Sequence, residues 1–334
     1  MNKVNSKFQN IDELKAHFDI VLETSLNDFL SATKSRREDA VGSRRFMAVA
    51  FSFMVAIIIA LYVIQDTGNS FVTNFLTGCA MVWLLLVLLA GRSWLKNDKL
   101  LAKEMNMALV PTLTNTLDRM LMYTHDTDHR EETLKLLRKS ELITSPDISI
   151  VSDDMYTIYG DKDISLRELV VTKKRQNGNG KGSHQVRVFK GLFVVTKLDK
   201  NHGAGTYIST DGDRIGFAHR TFWSDLTERG DVQETVLEWN DFEKHLHVAS
   251  SDAVKAREIL TPEFMEDLYD WWLEHKLNIR ISFKDNYMFI LLPESSIKIG
   301  TSTTSTRLEP IQRYAWSLVR PMWRSISLVK DVSS

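Results

Sequence analysis

The sequence predicts an α+β fold, in which a two-helix transmembrane hairpin and a helical stalk precede a cytoplasmic domain with an antiparallel sheet and packed helices. Three observations predict this class. Residues 46–64 and 71–91 are uncharged and apolar, and a helix that crosses a bilayer needs about 20 such residues. Residues 92–145 have the apolar periodicity of helices. From about residue 148 the chain changes to short β-rich runs.

The first 45 residues contain an amphipathic helix. Its apolar residues recur at intervals of three or four, at Ile11, Leu14, Phe18, Leu22, Leu26 and Phe29. Such a face needs a partner, for which the alternatives are the cytoplasmic domain, a second copy and the membrane surface. The domain is the favoured partner.

The charges that flank the two apolar stretches predict their orientation. Basic residues stand before the first stretch and after the second, at Lys34, Arg36, Arg37, Arg44, Arg45, Arg92, Lys96, Lys99 and Lys103, whereas the connecting residues 65–70 have none. By the positive-inside rule, both termini are predicted to be cytoplasmic. The single cysteine, Cys79, lies in the second stretch, so no intramolecular disulfide can form.

A ridge of small residues marks the first stretch. Ala48, Ser52, Ala56 and Ala60 recur every four residues, which allows another helix to approach closely. The second stretch is the favoured partner, and another copy of the protein is the alternative. Because neither stretch contains an Asp, Glu, Lys, Arg or His residue, an ion or proton path through the hairpin is not expected.

The predicted stalk covers residues 92–145. A helix runs towards Val110, meets Pro111 and resumes with Leu113, Leu117, Met120 and Leu121 on one face. A further short helix is predicted over residues 131–139.

The predicted domain covers residues 146–300. Strands are expected at residues 169–172, 186–197, 206–208, 232–237 and 245–249. Asp252 or Ser251 is predicted to cap one helix, and Thr261 followed by Pro262 predicts the start of another. A β-hairpin is expected over residues 279–292.

Residues 301–334 are predicted to form a Ser/Thr-rich linker, 301–306, and an amphipathic helix that Pro321 interrupts. The helix carries basic and tryptophan side chains, namely Arg313, Trp316, Arg320, Trp323 and Arg324. Such a helix can lie on an anionic membrane surface. The favoured alternative is that it packs on the domain.

A glycine-rich segment is the candidate ligand site. Gly178, Gly180, Lys181, Gly182, Ser183 and His184 resemble a phosphate-cradling loop, because glycines let backbone amides converge on an anion. The Walker pattern is not met, since Arg175 stands where a glycine is required and the context is strand to strand. A hairpin tip is therefore the favoured interpretation.

A second candidate is a metal site at His125, Asp128 and His129, whose imidazole and carboxylate groups suit divalent ions. The two histidines would share a face if the segment were helical. A solvated connector is the favoured alternative, and the sequence indicates no cofactor.

Composition and motifs argue against two classes of function, nucleic-acid binding and catalysis. The net charge of −1 gives no strongly basic field, so nucleic acid is not an expected partner. The chain has no Gly-x-Ser-x-Gly elbow and its one cysteine lies in an apolar stretch, so catalysis has no positive support.

Several segments resemble one bacterial membrane family, domain of unknown function 3137. They are residues 189–193 (Phe-Lys-Gly-Leu-Phe), 242–245 with Val248, 256–257, 260–265 around Thr261 and Pro262, and 281–283. The resemblance implies a bacterial inner membrane and a frequent association with membrane proteins of the LemA type. It implies no catalytic residues.

The expected function is that of a non-enzymatic adaptor, scaffold or sensor, which is held at the inner membrane and binds a protein partner or a copy of itself. One alternative is a tethered domain that binds or hydrolyses a phosphate-bearing ligand at residues 178–184. Another is a membrane-acting effector, for example in defence against phage.

Overall fold

The computed structural model describes residues 11–64, 70–125, 129–145, 147–160, 162–176, 182–203, 205–210, 232–275, 278–293 and 308–333. Of the predicted features, Gly178, Gly180, Lys181, Asp128 and the linker 301–306 lie outside these residues. The chain forms two compact units. The first comprises Met1–Asp19, Val110–Gly300 and Arg313–Ser334, and the second comprises Ile20–Leu109 and Thr301–Gln312.

Three long helices open the chain: α1 (Ile11–Ala32), α2 (Lys34–Ile64) and α3 (Ser70–Leu117). The predicted amphipathic helix is confirmed, because Leu14, Phe18 and Leu22 of α1 are fully buried. Only Thr33 separates α1 from α2. Its hydroxyl donates to the carbonyl of Phe29 at 2.7 Å and accepts from Arg37 Nε at 3.0 Å.

Two helices are long and apolar enough to cross a membrane, over Lys34–Tyr62 and Thr77–Lys96. The two helices pack against each other through an aromatic pair and through a glycine. The rings of Phe53 and Trp83 stack with centroids 5.5 Å apart, and a Cβ on Gly91 would lie 3.6 Å from the sulfur of Met47.

The stalk prediction is wrong in two respects around Pro111. The helix does not break there, since α3 continues to Leu117, and Met120 and Leu121 are not helical. Leu109 and Leu113 are fully buried on either side of the proline, and such burial can offset the cost of about 3 kcal/mol of an interior proline. After Asp118, which has a positive φ of 51°, Leu121 begins a strand.

Within the described residues, nine strands form one antiparallel sheet in the order β1-β2-β3-β4-β9-β8-β5-β7-β6. The strands are β1 (Leu121–His125), β2 (Ile148–Ile158), β3 (Ile164–Gln176), β4 (Ser183–Lys197), β5 (Thr206–Thr210), β6 (Gln233–Glu234), β7 (Leu246–Ser250), β8 (Arg280–Lys284) and β9 (Tyr287–Pro293). Of the strand predicted at residues 232–237, only the two residues of β6 form a strand. The predicted hairpin at 279–292 is confirmed as β8 and β9.

In the part of the chain that the structure describes, five further helices accompany the sheet: α4 (Arg130–Ser140), α5 (Asn240–Glu243), α6 (Ala253–Ile259), α7 (Pro262–His275) and α8 (Leu308–Ser333). Both predicted caps are confirmed. Asp252 accepts hydrogen bonds from the amides of Val254 and Lys255, and the hydroxyl of Thr261 accepts from the amide of Phe264 at 3.2 Å. Pro321 does not interrupt α8, which is a single helix.

The core lies between the sheet and the helices that cover it. Phe193 and Phe289, on neighbouring strands, stack in parallel with ring centroids 5.9 Å apart. Leu137 and Leu142 bring the end of α4 onto the same cluster. This core fixes the directions of β3 and β4, which carry the site described next.

Candidate functional site

The ends of β3 and β4 project beyond the sheet as a two-stranded ribbon. These strands pair with each other from Ile164 and Thr196 out to Gln176 and Ser183. On the outer sides, β2 pairs with β3 only as far as Lys173, and β9 pairs with β4 only from Gly191. Residues 174–176 and 183–185 therefore pair only with each other, whereas residues 186–190 lack β9 but lie beside residues of β3 that still pair with β2. We call residues 172–176 and 183–190 together the basic ribbon.

The ribbon has one sign of charge. Its basic residues are Lys173, Lys174, Arg175, Arg187 and Lys190, and between Leu169 and Leu198 the sequence has seven lysines and arginines and no acidic residue. Lys174, Arg175 and Arg187 are exposed. Among the described residues no carboxylate pairs with these three side chains.

The pairing register places no carboxylate opposite the basic residues of the ribbon. Arg175 lies opposite His184, and Arg187 lies opposite Thr172. Basic groups with no carboxylate between them repel each other, and a two-stranded ribbon without a third strand is itself marginally stable. An anionic group placed against the ribbon would relieve this repulsion.

Gly191 forms the base of the ribbon. It lies opposite Pro293, and a Cβ built there would meet the carbonyl oxygen of Leu292 at 2.0 Å and the Cα of Pro293 at 2.8 Å. Only glycine permits this close approach of β4 to β9. The close contact marks the point at which β4 leaves its partner and becomes part of the ribbon.

Three residues of the predicted phosphate loop are described, and they lie at the start of β4. Gly182 has a positive φ of 94°, and Ser183 and His184 are exposed at the start of β4. The loop joins two neighbouring antiparallel strands, as the hairpin interpretation predicts, whereas a P-loop leads into a helix.

The residues of the predicted metal site lie in different elements. His125 ends β1, where it pairs with Asp154, and His129 precedes α4 with its Nδ1 3.6 Å from the Glu132 carboxylate. Because His125 lies in a strand, the two histidines do not share a helical face. In the described part of the chain, no group of three or more His, Cys, Asp or Glu residues is placed to hold a metal ion.

The small-residue ridge of the first apolar stretch faces outwards. Ala48, Ser52 and Ala56 are exposed and Ala60 is half-buried, whereas Ala50 is fully buried. The favoured partner, the second stretch, therefore does not cover most of the ridge.

The residues predicted to touch a membrane surface do not share one exposed face of α8. Arg313 is exposed, whereas Trp316, Arg320 and Trp323 are half-buried and Arg324 is buried. Trp316 packs on Phe18 with ring centroids 5.4 Å apart, and the Arg324 guanidinium lies 4.9 Å from the Trp323 ring centre. This burial favours the alternative, a helix that packs on the domain.

A polar network at the end of α4 was not predicted. Glu141 accepts hydrogen bonds from the Tyr207 hydroxyl and the Lys284 ammonium. Arg280 donates to the carbonyl of Leu142 at 2.9 Å, and burial lowers the pKa of Arg280 to about 9. Because these partners are 66 to 143 residues apart in sequence, no local pattern could have indicated them. The network holds α4 on the sheet.

An aromatic cluster between α5 and α7 was also not predicted. Trp239 lies 5.2 Å from Tyr269, and Tyr269 lies 5.7 Å from Trp272. The His245 imidazole stacks on Trp272 at 4.1 Å between centroids. Three of these four side chains, Trp239, His245 and Tyr269, are half-buried, so part of the cluster reaches the surface.

Comparisons with known proteins give one structural similarity and one family. The chain is similar to the crystal structure of the mycobacterial trehalose monomycolate transport factor A, TtfA, at 9% sequence identity and a TM-score of 0.33, which covers 62% of this chain and 90% of that one. At these values no property is transferred from that protein. No curated protein matches the chain. Residues 187–327, from β4 into α8, match the family model described as "Protein of unknown function (DUF3137)", so the family resemblance seen in the sequence is confirmed over this range.

Proposed function

We propose that this protein is a non-enzymatic adaptor of the bacterial inner membrane, whose basic ribbon docks an acidic protein partner. Both termini lie in the cytoplasm, and the two apolar helices are the anchor. The single observation that carries the proposal is the ribbon: exposed cations without carboxylates, on strands that project beyond the sheet.

The surface of the apolar helices supports the anchor. Large apolar side chains are exposed on both of them, including Phe51, Ile59, Leu85 and Leu88, which expose 54%, 59%, 57% and 60% of their surface. A soluble protein rarely exposes a contiguous apolar area of this extent. A lipid environment would cover it.

The charge of the ribbon supports docking. Complementary charge on two proteins increases their rate of association and disfavours binding to other proteins. Because the protein is anchored, it can meet only partners that lie at the same membrane. A membrane protein of the LemA type, which the family resemblance implies, is one candidate partner.

Purification of the full-length protein in its native lipid tests the proposal. A ribbon-reversed variant carries Lys174→Glu, Arg175→Glu and Arg187→Glu. A control-reversed variant makes the same change in charge at three other exposed cations, Lys135→Glu, Lys197→Glu and Arg257→Glu. Co-purifying proteins are then quantified by mass spectrometry.

A partner should be recovered with the wild type and the control-reversed variant. Its recovery with the ribbon-reversed variant should fall roughly tenfold or more, because like charges then face each other. Equal recovery with all three proteins, or no partner with any of them, would contradict the proposal.

A further inference from the structure

A second charged surface surrounds the aromatic cluster. The segment from Val232 to His275 contains eleven acidic residues and three basic ones. Exposed carboxylates adjoin the cluster in sequence: Glu238 precedes Trp239, and Glu266 and Asp270 flank Tyr269 on α7. We call Glu238, Trp239, Glu266, Tyr269 and Asp270 the acidic–aromatic face.

Helix geometry places these α7 groups side by side. Glu266, Tyr269 and Leu273 are three and four residues apart, so they lie along one stripe of the helix. Leu273 is 43% exposed. The stripe therefore combines a carboxylate, a half-buried aromatic ring and an exposed aliphatic side chain.

Such a surface suits lysine and arginine side chains. Carboxylates form charge-assisted hydrogen bonds with them, aromatic rings attract their cations, and their aliphatic stems pack on apolar groups. Lys244 is the basic residue closest in sequence to Trp239, and it is already paired with Asp241 at 2.7 Å. A cationic segment from another chain would complement the remaining carboxylates.

We propose that the basic ribbon of one copy docks on the acidic–aromatic face of a second copy. The inference rests on the proposed function, since it names the partner of the same ribbon. The two surfaces have complementary charge, because the ribbon has five basic and no acidic residues. The segment from Val232 to His275, which forms the face, has eleven acidic residues and three basic ones. Each surface therefore supplies the charge that complements the other.

The contact is heterologous, because the two copies contribute different surfaces. Each copy keeps one free ribbon or one free face after a single contact, unless a ring closes. Anchored copies would therefore form rings or rows in the plane of the membrane. Salt should weaken the contact, since both surfaces are exposed.

Charge exchange between two copies tests the inference. The full-length protein is co-expressed with two different affinity tags, and capture of one tag is scored for recovery of the other. The ribbon-reversed variant is used together with a face-reversed variant that carries Glu238→Lys, Glu266→Lys and Asp270→Lys. The control-reversed variant is included, and each protein is checked for folding by its circular dichroism.

Wild-type copies and control-reversed copies should capture each other. Ribbon-reversed copies alone and face-reversed copies alone should each lose roughly tenfold or more of this recovery. A mixture of the two variants should regain it, because each ribbon then meets a face of opposite charge. Rescue in the mixture also excludes misfolding as the cause of the loss.

Failure of rescue, or undiminished self-capture by either variant alone, would overturn the inference. If wild-type copies do not capture each other but a different protein is still lost with the ribbon-reversed variant, the inference is wrong and the proposed function stands. If neither another copy nor another protein depends on the ribbon, both are wrong.

Discussion

Gly191 shows at the scale of one residue how the ribbon is attached to the sheet. We expect Gly191→Ala to destabilise the protein by about 3 kcal/mol, because its Cβ would meet the Leu292 carbonyl oxygen at 2.0 Å and the backbone would have to shift. Thermal unfolding followed by near-ultraviolet circular dichroism measures the effect.

Gly42→Ala is the matched control. Nothing lies within 4 Å of a Cβ on Gly42, which is in a helix, so alanine there should raise stability by up to about 1 kcal/mol. Unfolding of the Gly191 variant at or above the wild-type temperature would show that the close contact imposes no constraint.

Asp331 should make stability depend on pH. Burial raises its pKa from 3.8 to about 7, and the negative charge of Asp267 and a hydrogen bond to it add to the rise. Ser327 donates to the Asp267 carboxylate. Between pH 4 and pH 7 the folded state therefore binds more protons than the unfolded state, so stability should fall as the pH rises through this range.

Asp331→Asn should remove this dependence. At pH 8 the variant should be more stable than the wild type by on the order of 1 kcal/mol, a value discounted because the side chain is partly exposed. At pH 4 or below the difference should vanish. Urea unfolding at both pH values measures this difference in stability, and Asp19→Asn, at an exposed position, is the control. If the stability of Asp331→Asn depended on pH as that of the wild type does, Asp331 would not be the group responsible.

At the scale of elements, the end of α4 depends on Glu141. Replacing Glu141 with Ala leaves Lys284 and the Tyr207 hydroxyl without their common acceptor, which should cost about 1–3 kcal/mol of stability. Glu131→Ala, at an exposed position of α4, should cost much less. Thermal unfolding distinguishes the two variants.

The same Glu141 variant should still recover any partner that depends on the ribbon. The network binds α4 to β5 and β8, and its side chains are half-buried or buried, so its role is structural. Loss of the partner with retained stability would instead identify Glu141 as part of a binding site.

Local signals made the caps and turns predictable. Asp252 and the Thr261-Pro262 pair act on neighbouring amides, and the β8–β9 turn needs only the short segment around Asp285, whose φ is 53°. Pro111 and Pro321 could not be predicted correctly, because burial of their surroundings by distant residues outweighs a local preference. The strand β2 was not predicted at all, because Ser152, Asp153 and Asp154 interrupt its apolar pattern.

The candidate site was predictable only in part, because it too depends on contacts between residues that are distant in sequence. Glycines and Lys181 drew attention to the loop, and the strands that flank it are confirmed. That β3 and β4 project depends on where β2 and β9 stop pairing, at Lys173 and Gly191. The acidic–aromatic face requires α5 and α7, which are far apart in sequence, to come together.

At the scale of the whole molecule, the net charge of −1 conceals two strongly charged segments of opposite sign. The average charge led to the expectation that the chain has no strongly basic field. The ribbon contradicts that expectation locally, because antiparallel pairing brings basic residues from two strands together.

Photo-cross-linking from the ribbon in living cells tests the central claim most directly. A photoreactive amino acid is placed at Gln185, which is exposed and lies opposite Lys174, and at the exposed Lys135 of α4 as control. The account predicts that Gln185, and not Lys135, yields a cross-link to a protein, and that reversal of Lys174, Arg175 and Arg187 abolishes it. A cross-link that survives charge reversal, or the absence of any protein cross-link from Gln185, would contradict the account.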